Sequence, residues 1–145
     1  MTPLKLSRIY LVILLASACS QQPKVDAVAS IAEIHEAMIN PASDAIFNVG
    51  SEPPKDDQAW TAVRNNAIIL AESGNLLMIG SRAKDGGDWM KMSQAMAAAA
   101  VMALKAANAK QADALIEAGA QLVAACETCH QPYRDGGRQM GAPRP

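Results

Sequence analysis

Aromatic residues are nearly missing from this sequence. Trp60, Trp89, Tyr10, Tyr133 and Phe47 make up 3% of a 145-residue chain. That argues against a large all-β core built on aromatic and β-branched side chains. An excess of one charge sign is also missing: 13 basic groups face 14 acidic ones. There is no basic excess to hold a phosphate backbone, so nucleic acid is not an expected partner. No Ser/His/Asp set, phosphate loop or pair of catalytic carboxylates stands out, and the chain reads as a non-enzyme. Only three cysteines (Cys19, Cys126, Cys129) and two histidines (His35, His130) are present. What is abundant is alanine, about a fifth of the chain and the best helix former. One domain is expected at this length. Its small-residue core leaves open what large apolar body the helices pack around.

Residues 1–18 have the pattern of an export signal. Lys5 and Arg8 precede an apolar run, Ile9 to Ala16, too short for a permanent membrane span. Ala16-Ser17-Ala18 fits the small-x-small cleavage pattern, which gives a soluble periplasmic product. Leu15-Ala16-Ser17-Ala18-Cys19 also resembles the lipobox of bacterial lipoproteins, with Ala16 standing where Leu is more usual. That resemblance implies a lipidated Cys19 as the first mature residue, tethered to the membrane without spanning it. Ser20 after the Cys, in place of Asp, then implies the outer membrane. Residues 19–24 form the membrane-proximal linker.

After residue 20 there is no alternating strand pattern, and four helical stretches follow. The first is expected from about Val25 to Val49, with Val28, Ile31, His35, Met38, Ala42, Ile46 and Val49 as its apolar stripe. Pro41 removes one backbone donor, so the Ala37 carbonyl loses its partner and a kink or break is expected there. The second runs from about Asp57 to Ile79, with Trp60, Val63, Ala67, Leu70, Gly74 and Leu77 on one face. The third runs from about Trp89 to Ala107, with Asp88 as its expected N-cap. The fourth runs from about Gln111 to Cys129, with Leu115, Gly119, Leu122, Cys126 and Cys129 on its seam. Residues 135–145, rich in Gly and Pro, are expected to be a flexible tail. The whole predicts an all-α, antiparallel four-helix bundle over 25–134.

Cys126-Glu127-Thr128-Cys129-His130 is the Cys-x-x-Cys-His signature of c-type haem attachment. The two thiols form thioethers with the two haem vinyl groups, and the adjacent imidazole ligates the iron. A redox dithiol prefers a strand and a helix N-terminus, whereas this pair lies at the end of a helix. A structural zinc site needs four ligands and lacks a second cysteine pair. A disulfide over so short a loop staples little. Export agrees with haem, and no cysteine is left over once Cys19 takes lipid.

The motif lies near the C-terminus, at the end of the last helix. With Gln131-Pro132-Tyr133-Arg134 after it, it resembles the class II c-type cytochromes, the cytochrome c′ group and its low-spin relatives. Trp89 opening the third helix and the alanine-rich third and fourth helices agree. The resemblance implies one covalent haem c in a four-helix bundle, filling its aromatic-poor core. It implies Arg134 against a haem propionate, the alternative being a solvated Arg at the tail. A homodimer is compatible with it. It also implies a distal side facing the first helix, where low-spin members place a Met and cytochromes c′ proper leave the iron open.

This sequence offers His35 and Met38 there, three apart and so on one helical face. His35 suits the distal position better. The alternatives are Met38, or neither, with His35 at the stripe's edge. Two functional readings follow. With His130 and His35 both on the iron, the protein carries single electrons between periplasmic or membrane redox partners, at a lower potential than a His/Met pair gives. With the sixth position open, NO or CO binds.

Overall fold

The computed structural model describes residues 25–134. The leader 1–18, the lipidation candidate Cys19, the linker 19–24 and the tail 135–145 lie outside the described residues. Among those described there is no strand, and four helices pack in a ring, each against two neighbours. None is long and apolar enough to cross a membrane.

The first helix, α1, covers 31–47 in three pieces: an α-helical turn Ile31–Ile34, a π-helical segment His35–Ile39 and an α-helix Asn40–Phe47. It starts six residues later than expected. Ser30 caps it: its hydroxyl accepts from the Glu33 N–H, and Glu33 Oε2 accepts from the Ser30 N–H at 2.8 Å. This reciprocal box sets the start, and residues 25–29 precede it as a non-helical strap. Val28 falls in that strap and is 99% exposed, not part of the stripe.

The irregularity expected at Pro41 takes the form of the π-helical segment just before it. Pro41 sits in the first turn of Asn40–Phe47, and the Asn40 N–H reaches back five residues to the His35 carbonyl. The wider turn changes which side chains face inward. The buried row runs Ile34, Ile39, Ala42, Ile46, Val49. Its first step is five residues, so His35 and Met38 do not follow the shared row expected of a regular helix. A 3-10 turn, Asn48–Gly50, ends the segment.

Helix α2, Asp57–Leu77, is capped by Asp56, which accepts from the Ala59 N–H at 2.8 Å. Its buried face is the expected one, Val63, Ala67, Leu70, Gly74 and Leu77, with Trp60 only half-buried against the core. Helix α3, Asp88–Asn108, buries Trp89, Ser93, Met96, Ala99, Ala100, Ala103, Ala106 and Ala107. Asp88 is not its N-cap. It is the first helical residue, and Asp85 Oδ1 instead accepts from the Gly87 and Trp89 N–H groups at 2.8 and 3.1 Å. Asp85 does this because the two glycines after it let the loop fold back over the helix start. At Gly74 the α2 and α3 backbones come so close that an added Cβ would lie 2.8 Å from Ala97 Cβ.

Helix α4, Ala112–Tyr133, buries Leu115, Ala118, Gly119 and Leu122. It does not stop at Cys129: the whole Cys-x-x-Cys-His motif and Pro132 are helical. Pro132 lies in the last turn, where its missing N–H removes a single hydrogen bond and little helix remains to disrupt.

Candidate cofactor site

A cavity of about 530 Å³ opens between α1, the end of α2, the first half of α3 and the last turns of α4. Its volume lies within the range of small-molecule and cofactor sites. Apolar side chains make much of the wall, among them Ile39, Leu77, Trp89 and Met96. Cys126, Cys129 and His130 enter from α4, and His35 enters from α1. Met38 does not line it; it is half-buried against the core.

Helical geometry puts Cys126 and Cys129 on one face of α4, three residues apart. Both thiols are free and half-buried. Burial, and secondarily Glu127, pushes the Cys126 thiol up; burial, and then Cys126 itself, does the same to Cys129. A redox dithiol needs the opposite shift, a stabilised thiolate. Among the described residues no group of three or more His, Cys, Asp or Glu is placed to hold a metal ion, which leaves a structural zinc without its ligand set.

The two histidines of the chain meet in this cavity. Their ring centres are 6.0 Å apart and their planes 39° apart. Two metal–imidazole bonds of about 2 Å, with about 1 Å from each nitrogen to its ring centre, span about 6 Å. His35 Nδ1 lies 2.9 Å from the Ile31 carbonyl. A carbonyl only accepts, so Nδ1 donates in this contact; in the neutral ring that leaves the lone pair on Nε2, the usual arrangement of a metal-ligating imidazole. Burial, then the His35 and Arg134 charges, lowers the His130 pKa and favours its neutral, ligating form. Two thiols on one helix face, two imidazoles 6.0 Å apart and an apolar cavity lined by all four fit the donor set of a c-type haem.

Around this set lie residues that sequence reasoning placed only in part. Arg134, one residue past α4, is exposed at the cavity's edge. Tyr133 packs edge-on against Trp89, ring centres 5.0 Å apart, and its hydroxyl donates to Asp85 Oδ2. Trp89 Nε1 in turn donates to the Leu77 carbonyl at 2.8 Å. Asp85 therefore joins the α2–α3 loop to the motif helix. The sequence marks it only as a turn residue, and 48 positions separate it from Tyr133. Lys84, beside it, also reaches the cavity. Comparison with known families, characterised proteins and solved structures gave no match.

Proposed function

We propose that this protein is a c-type cytochrome that carries single electrons. The observation that carries the reading is the pair His35 and His130, ring centres 6.0 Å apart at the cavity that Cys126 and Cys129 line. Cys126 and Cys129 would hold the haem covalently, and His130 and His35 would supply imidazole nitrogens to its iron. Met38, away from the cavity, is set aside as ligand. When bound, the haem supplies an iron that accepts and gives up one electron. The chain's own part is to fix both imidazoles, so that little moves when the charge changes. The Ile31 carbonyl orients His35, α4 carries His130 beside the two cysteines, and largely apolar walls surround the group they would hold. Arg134 at the rim is placed to pair with a propionate.

The fold reading is an antiparallel four-helix bundle of the class II cytochrome type. Its location is the periplasmic face of the outer membrane, held by lipid on Cys19, with periplasmic or membrane redox partners. The test is the optical spectrum of the haem-loaded protein, oxidised and reduced, with and without CO. A sharp low-spin spectrum that CO leaves unchanged is expected. His35→Ala should become high-spin and CO-reactive, while Met38→Ala should stay low-spin. A CO-reactive wild type would transfer the reading to NO/CO binding. Absence of covalent haem would end both.

A further inference from the structure

The two ends of the bundle differ, and the N-terminal strap is fastened to one of them. Lys110 pairs with Asp57 at 2.6 Å, and Arg64 Nε donates to Asn108 at 3.0 Å. These contacts tie the start of α2 to the end of α3, at the end away from the cavity. At the cavity end, the α2–α3 loop holds two other segments. Asp85 accepts from Tyr133. Arg82, 6% exposed, donates through Nε to the Leu76 carbonyl at 2.6 Å and through Nη1 to the Ala29 carbonyl at 3.0 Å. Gly80 packs directly beneath the strap: an added Cβ would lie in ordinary contact, 3.4 Å from the Val25 carbonyl oxygen and 3.5 Å from Ala27 Cβ. Its φ of +61° is a turn conformation that favours glycine. Val25 is therefore held at the end of the bundle where the motif helix finishes.

Chain length then limits which way the domain can face. Cys19 precedes Val25 by six residues. Fully extended, that length spans about 20 Å. Helix α2 alone has 21 residues, about 30 Å of bundle length. A tether of about 20 Å starting at the cavity end cannot pass along the bundle and bring the far end to the surface that holds the lipid. Val25 and Val28, 57% and 99% exposed, project from the strap at the point of attachment.

We infer that the cavity end of the bundle, with Lys84 and the α4 terminus, is its membrane-facing end, resting on the lipid surface. This rests on the Cys19 lipid of the proposed function, and it adds an orientation that the lipid alone does not give. The apposed partner is the bilayer itself. The cavity end, where a haem would sit, is thereby turned to the membrane, and the Lys110–Asp57 end to the aqueous side.

The experiment uses the full exported chain, lipidated and haem-loaded, on phosphatidylethanolamine–phosphatidylglycerol vesicles. Amine acylation of lysines is followed by peptide mass analysis, with the soluble Cys19→Ser protein as reference. Lys84 should lose its labelling on vesicles, while Lys55 and Lys105, exposed at the far end, should label as in solution. Inserting about twelve Gly and Ser residues after Gln22 adds about 40 Å of reach and should restore labelling of Lys84. Equal protection of both ends, protection of Lys55 instead, or protection that survives the insertion would overturn the orientation. Intact mass reads the lipid separately from the haem. A chain without lipid overturns the inference, and the spectrum still tests the cytochrome.

Discussion

Two glycines on the seams of the bundle should respond to the same substitution with opposite signs. Gly74→Ala and Gly119→Ala each remove a helix-interior glycine, which by propensity alone stabilises by about 1 kcal/mol. At Gly119 the new methyl would meet Ile46 Cγ2 at 3.6 Å and Phe47 Cδ1 at 3.8 Å, ordinary contact distances, so that gain is kept. At Gly74 it would meet Ala97 Cβ at 2.8 Å and the Ser93 carbonyl oxygen at 2.9 Å. Neither neighbour can rotate away, since one is a methyl fixed to the backbone and the other is backbone. Helices α2 and α3 must separate, and overpacking of this kind costs about 1–3 kcal/mol. The net for Gly74→Ala is a loss of about 1 kcal/mol, which leaves the two variants about 2 kcal/mol apart. Urea unfolding followed by far-ultraviolet dichroism reads this as midpoints separated by about 1 M. A Gly74→Ala protein as stable as Gly119→Ala would refute the close α2–α3 crossing, and with it the account of how alanine replaces large side chains in this core.

Other outcomes follow from single contacts. Ser30→Ala removes the cap of α1 and should cost about 1 kcal/mol in the same unfolding assay; a neutral result would place the start of α1 elsewhere. Tyr133→Phe should weaken the fold only in a window of pH. The Tyr133 hydroxyl, and then the Gly87 N–H, hold the Asp85 carboxyl below its usual range, so that contribution exists above the unfolded Asp value near 4 and is lost as pH falls through the folded one. The same bond pushes Tyr133 up to about 12, so its contribution is complete below the unfolded value near 10 and is lost as pH rises through 12. The gap in urea midpoint between wild type and Tyr133→Phe should be widest from about pH 5 to 9 and close on both sides; a gap independent of pH would contradict the Asp85 contact.

The buried face of α2 was legible because Val63, Ala67, Leu70, Gly74 and Leu77 keep a regular helical period on a helix with one clear cap. On α4 the spacing of Cys126, Cys129 and His130 was enough to place the three together, and the structure brings them to one cavity. The start of α1 was misplaced because Val25 and Val28 extend an apolar period backwards, while the Ser30–Glu33 box that ends it is a local polar signal. Met38 was drawn into the stripe by assuming 3.6 residues per turn through a segment that is π-helical. The sequence offers Pro41 as a sign of trouble there, but not the form the backbone takes. Asp85 was out of reach altogether, since its partner Tyr133 becomes a neighbour only when the bundle closes. His35 and His130 were legible as candidates, and their separation only in three dimensions.

The unequal filling of the bundle has a consequence for how it opens. Away from the cavity, Ala100, Ala103, Leu115 and Leu122 are sealed. Around the cavity Cys126, Cys129 and His130 are only half-buried, and Glu127 and Thr128 are exposed. Local opening energies follow this gradient, so the last turns of α4 belong to the part of the protein that frays first, while the closed half keeps the helices in register. On the proposed reading, the two thiols would be reached by haem through partial unfolding, without dissolving the domain. Thioether formation would then join the weakest segment to the body that fills the void. Attachment and the final gain in rigidity would fall on the same few residues, and slowed amide exchange there on haem loading is the expected signature of a completed assembly.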